Sequence, residues 1–190
     1  MPSRALQEWR TTQRAELDRL DAAVRGASER ALRQQLVDAY IVAVAGHFQR
    51  YCRSLHNDAI EFAADTVRPA SAAPIVNALV HGRLLDRGNA HSSALAADFG
   101  WLGLRLWEEL VESDQRNRQR RTRLDQLNAW RNAIAHQARP LAPTDTAAAA
   151  GATRTLRSAR LWRADCSALA HQMDSYVKRR LTSLLGIRPW

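Results

Sequence analysis

The stretch SERALRQQLVDAYIVAVAGHFQRYCRSLHNDAIEFAA, residues 28–64, holds no proline and a single glycine, Gly46. Its apolar residues Leu32, Leu36, Val37, Tyr40, Ile41, Val44, Phe48, Tyr51, Leu55, Ile60 and Phe62 return mostly every three or four positions. That recurrence suits one side of an α-helix, and through the middle the apolar surface spreads beyond one face. A helix of this kind belongs inside a bundle. The segment therefore predicts a central helix, with Ser28 as its expected N-cap after the break at Gly26.

Outward from this segment the same reading holds. Glycine and proline number only 8 and 6, and Ala, Leu, Arg, Gln and Glu, which lose least on entering a helix, fill the intervals. Leu6, Trp9, Leu17, Leu20 and Val24 mark a surface helix over residues 4–24. Pro69, Pro74, Gly82 and Gly88 break residues 67–89 into short helical pieces, one expected at 74–80. A third long helix is expected over 92–111, with Leu95, Phe99, Leu102, Leu106 and Leu110 inward and Gly100 and Gly103 permitting close helix approach. Leu124, Leu127, Trp130 and Ile134 mark a fourth, after the basic run SDQRNRQRRTR. ARPLAPTDTAAAAG, residues 138–151, reads as a loop. A last helix follows over 154–185, its stripe formed by Leu156, Leu161, Trp162, Leu169, Met173, Tyr176, Val177 and Leu181. The fold class is all-α, a helical bundle of about five helices with short additional segments. Residues 1–27 form an N-terminal helical extension, and residues 28–190 form one helical domain with a flexible loop near 138–152.

A chain of 190 residues is the size of one domain, and 46% hydrophobic content argues against wholesale disorder. The longest apolar runs, such as residues 39–46, fall far short of the ~20 residues that cross a bilayer. MPSRALQEWR is followed by no apolar segment of the export type, so a cytoplasmic location is expected. Cys52 and Cys166 are expected to be reduced and packed. The six histidines show neither HExxH nor zinc-finger spacing, so no metal and no cofactor is expected. The net charge is +9, and every basic residue except Lys178 is arginine. A field of that sign attracts a polyanion such as RNA, although arginine in an alanine-rich chain also follows from biased coding composition.

The string most suited to chemistry is NAWRNAIAHQ, residues 128–137. Asn132 and His136 stand one turn apart on one helical face, with Arg131 at its edge. Trp130 and Ile134 make a neighbouring apolar face that anchors the helix. Small Ala133 and Ala135 let a partner surface approach. The set supplies a cation, an amide and an imidazole, without a carboxylate.

RNAIAH, residues 131–136, resembles the signature of the HEPN superfamily, and the surrounding LDQLNAWRNAIAH looks like its form in the RiboL-PSP-HEPN group of prokaryotic defence and toxin-like proteins. The resemblance spans about residues 30–185 and departs from the commonest pattern at Gln137, where glycine often follows the histidine. It implies a HEPN-like bundle that dimerises so that two copies of the motif form one metal-independent endoribonuclease site. On that reading His136 is general base or acid, Arg131 holds the phosphate, and Asn132 orients His136 or donates to a phosphate oxygen. The resemblance alone also implies a toxin or defence effector restrained by an antitoxin or regulatory protein.

Arg116, Arg120, Arg121 and Arg123 read as an RNA-guiding rim or as a solvated helix face. Without the resemblance, Arg131 is a surface arginine and His136 a histidine placed where the helix dipole favours a cation. His47 and Gln49 are candidates to approach the cleft, whereas Tyr51 and Trp162 read as core aromatics, and His171 belongs to the polar side of the last helix. A different class of function also fits: a non-catalytic helical adaptor or RNA-binding dimer. A basic DNA-binding regulator is disfavoured, because no helix-turn-helix pair stands out.

Overall fold

A computed structural model describes residues 1–67, 82–136 and 154–190 of the chain. Expected features at 74–80 and in the 138–152 loop lie outside these residues. The described residues form α1 (Arg4–Glu8), a π-helical turn (Trp9–Gln13), α2 (Arg14–Gly26), α3 (Arg30–Val67), α4 (Leu84–Arg87), α5 (Ser92–Gly100), α6 (Leu106–Ser113), α7 (Asn117–Ala135) and α8 (Leu156–Leu185). No strand occurs among them. The molecule is an all-α bundle.

The bundle is built on α3. Tyr40, Ile41, Val44, Phe48, Tyr51, Cys52 and Leu55 are buried along it, and they meet Trp162, Cys166, Leu169, Ala170, Met173 and Val177 of α8 in one core. Tyr51 donates its hydroxyl to the Ala170 carbonyl at 2.6 Å, so its one polar atom is satisfied at the centre of this packing. Tyr51 and Trp162 are core aromatics, as their spacing indicates. Burial pushes the thiols of Cys52 and Cys166 well up, and both cysteines are free. Leu32 and Leu161, read as inward, are each 44% exposed and lie at the margin of their stripes.

The N-terminal rod joins the same core. Ser3 Oγ accepts the Leu6 N–H, while the Ser3 and Ala5 N–H groups donate to Asp174 and Asp58. These contacts satisfy donors that a helix start leaves open. Trp9 then packs edge-on to Phe48 and Tyr51, each ring centroid 6.0 Å away. The chain widens into its π-helical turn at this tryptophan, with the Arg14 N–H reaching the Trp9 carbonyl. Leu6, Trp9, Leu17 and Val24 thus share the core of α3 and α8.

Three local expectations are corrected. The Arg33 N–H bonds to the Glu29 carbonyl, which makes Glu29, not Ser28, the N-cap of α3. The region 92–111 is two helices, not one. Gly103, at φ +70°, stops α5: its N–H bonds to the Gly100 carbonyl, and the Leu104 N–H bonds to the Phe99 carbonyl. This is the Schellman pattern, completed by the burial of Leu104 and Phe99. Neither Gly100 nor Gly103 admits a close helix approach, since a Cβ built on either meets nothing within 4 Å.

The two glycines therefore separate in their response to alanine. Gly103→Ala forces a side chain into the left-handed region and is expected to cost ~1–2 kcal/mol in urea unfolding. Gly100→Ala is expected to be neutral or stabilising. Equal losses at the two positions would contradict this assignment of the turn.

Candidate functional site

The lower half of α7 carries Asp125, Asn128 and Asn132 on one stripe, and all three hold the chain that enters α5. Asp125 accepts the Ser92 N–H at 2.8 Å and the Ser92 hydroxyl at 2.7 Å. Buried Asn128 donates to the Ala90 carbonyl at 3.0 Å and to its own helix at Leu124. Asn132 Oδ1 accepts from Asn89 Nδ2 at 2.5 Å. The segment 89–92 is thereby fastened at Asn89, Ala90 and Ser92. Sequence reading missed this stripe, although the spacing of three and four residues between short polar side chains was its visible signal.

The predicted motif sits at the end of this stripe. Arg131 Nη1 donates to the same Asn132 oxygen at 3.2 Å, so Asn132 joins Arg131 to Asn89. Trp130 and Ile134 pack against the core, as the anchoring face requires. Arg154, at the start of α8, lies over the Trp130 ring, 5.9 Å from its centroid, and pairs with Asp38. His136 is the C-cap of α7 and is exposed, its N–H bonded to the Asn132 carbonyl. The helix end thus presents an imidazole to solvent, with the Asn132-bound guanidinium of Arg131 five residues back. The favourable end of the helix dipole for a cation lies at the same place.

The basic run occupies the first turns of α7 and is met by acids. Arg116 Nε donates to Asp114 at 3.0 Å. Arg120 bridges to Asp114 at 2.8 Å and to Asn117 at 2.8 Å, and Arg123 reaches Asp165 of α8 at 3.2 Å. Buried Asn117 continues the network through Gln172 of α8 and the Leu110 carbonyl of α6. Arg121 differs: it is exposed and lies over Trp107, 5.4 Å from the ring centroid. The guanidiniums of Arg116 and Arg120 hold the Asp114 carboxyl far below the usual carboxylate range. Asp165 moves the other way, because its burial outweighs the neighbouring arginines.

The remaining sequence candidates have assigned partners. Gln49 donates to the carbonyls of Leu85 and Gly88, bracing α4 against α3. His47 contacts Glu16 of α2 at 3.0 Å, and burial lowers its pKa against the pull of that carboxylate. Among the described residues, no three His, Cys, Asp or Glu side chains gather into a metal-binding group, and no helix is long and apolar enough to cross a membrane. No family model matches the chain, and no curated protein or solved structure matches it.

The arginine network makes a prediction about acid. A carboxyl held below its unfolded pKa contributes stability above that value and loses it as pH falls towards the folded value. Asp114→Asn is therefore expected to be less stable than wild type at neutral pH, with the difference shrinking once pH drops below the ordinary 3.8. Urea titrations at a series of pH values read this directly; a difference independent of pH would contradict it.

Proposed function

We propose that the chain is a metal-independent endoribonuclease of the HEPN type, with Arg131, Asn132 and His136 at its centre. The observation that carries this reading is the end of α7, where Asn132 accepts from Arg131 and His136, one turn beyond Asn132, is exposed. An exposed imidazole is a residue type suited to proton transfer, and a guanidinium fork matches phosphoryl oxygens.

The 2′-oxygen of RNA attacks the adjacent phosphorus and gives its proton to a base. The P–O5′ bond breaks as an acid protonates the departing 5′-oxygen, leaving a 2′,3′-cyclic phosphate and a 5′-hydroxyl. Arg131 stabilises the charge that builds on the non-bridging oxygens. One histidine cannot be base and acid in the same step. A second copy of the chain supplies the other imidazole, so the working unit is a homodimer with two motifs in one cleft. The net charge of +9 favours the RNA encounter. Arg121 and Arg118 are exposed arginines of the basic run, whereas Arg120 chiefly pairs with Asp114 ahead of α7 and Arg123 ties α7 to Asp165 of α8. A role as a defence effector, restrained by an antitoxin or another regulatory protein, follows from this reading.

The test compares wild type with Arg131→Ala and His136→Ala on labelled total RNA in chelator, after all three are shown to form the same oligomer. Loss of one general acid–base group is expected to slow cleavage by ~10²–10⁴-fold while RNA binding persists. A folded wild-type dimer that binds RNA and leaves it intact would instead identify a non-catalytic adaptor or RNA-binding dimer.

A further inference from the structure

A cavity of about 180 Å³ opens between the N-terminal rod and the middle of α8, on elements the α7 motif does not use. Trp9 and Leu17 line its apolar side. Arg10, Arg14, Arg163, Ser167 and His171 supply the polar side. The π-helical turn delivers Trp9 and Arg10 to this wall, and π turns of this kind recur at functional sites.

Several arginines of the molecule are matched by carboxylates, whereas those of this cavity are matched only in part. Arg120, Arg123, Arg154 and Arg160 each meet a carboxylate of another segment. Arg10 instead donates to an imidazole: its Nε lies 3.3 Å from His171 Nε2, and its Nη2 lies 2.7 Å from His171 Nδ1. Among the described residues no carboxylate reaches salt-bridge distance of Arg10 or His171. Asp18 alone serves both remaining arginines, at 2.6 Å from Arg163 and 3.9 Å from Arg14. Three guanidiniums against one carboxylate leave a surplus of two positive charges. Ser167 Oγ accepts from the Trp9 indole at 3.3 Å, which leaves its own proton available to donate.

We infer that this cavity binds a dianionic phosphate group, carried by a phosphate monoester or present as inorganic phosphate. The charge surplus matches a dianion. Arginine forks and a serine hydroxyl are donors suited to its oxygens, and Trp9 and Leu17 offer an apolar surface to the esterified group. Burial and the Arg10 charge lower the His171 pKa against the opposing pull of Asp174. A phosphodiester carries one charge and fits the surplus less well. The inference is independent of the ribonuclease reading and stands or falls without it.

The test uses the full chain in buffer free of phosphate and sulfate, with the His171 ring resonances followed by NMR during titration. The probes are inorganic phosphate, a nucleoside 5′-monophosphate, and a dinucleotide whose only phosphate is the internal diester. The first two are expected to shift the His171 signals saturably, and the diester to bind about tenfold or more weakly. In Arg10→Gln/Arg14→Gln, which removes two exposed side chains, the thermal midpoint is expected to stay unchanged and both monoester affinities to fall about tenfold or more. Three results would each overturn the inference: no shift of His171 with millimolar phosphate, undiminished affinity in the double variant, or a diester that binds as well as the monoester.

Discussion

The packing of α3 on α8 sets the position of every other element. Tyr51 is the clearest expression of this constraint, since its fully buried phenol places its hydroxyl on the Ala170 carbonyl. The bond fixes the helices along their length as well as side by side. Once that alignment is set, Trp9 has a pocket against Phe48 and Tyr51, and the N-terminal rod has one place to lie. On another side, α7 runs along α8 with Asn117 near Gln172 and Arg123 near Asp165, which carries the 131–136 motif towards the start of α8.

Carboxylates finish what the apolar packing begins. Asp58, Asp98, Asp125 and Asp174 each accept backbone N–H groups from a segment far away in sequence. Asp98 takes the amides of Leu84 and Leu85 at the start of α4, while the buried His56 ring donates to the Asp98 carbonyl. Acid side chains therefore do the work that local caps do in simpler helices, and each one also joins two elements. The stripe of α7 follows the same rule. Its Asp125, Asn128 and Asn132 secure the segment 89–92, and the last of them also secures Arg131. Scaffold and candidate site share one side chain.

Periodicity made the long elements legible. Residues 28–64 read as a central helix because their apolar residues cover more than one face, and α3 occupies Arg30–Val67. The last helix was legible for the same reason, from 154–185 in sequence to Leu156–Leu185 in the fold. Gly103 was harder to read, because a glycine in an apolar helix pattern serves either close packing or a left-handed stop, and only the φ angle distinguishes them. The candidate site was legible as residue types on one helix. The Asn89 contact to Asn132 was not, since it joins residues 43 apart and no local spacing announces it. The acid partners of the basic run were hidden in the same way: Asp165 lies 42 residues beyond Arg123. An arginine-rich run read alone suggests a surface for polyanions, whereas the bundle gives part of it to helix–helix cohesion.

The chemistry proposed for the end of α7 predicts a signature in its products. A 2′-oxygen nucleophile requires a 2′,3′-cyclic phosphate on one fragment and a 5′-hydroxyl on the other, whichever RNA is cut. Mass spectrometry of the termini generated by the wild-type chain in chelator measures this directly. Cyclic phosphate and 5′-hydroxyl ends are the predicted result; 3′-hydroxyl and 5′-phosphate ends would contradict the mechanism.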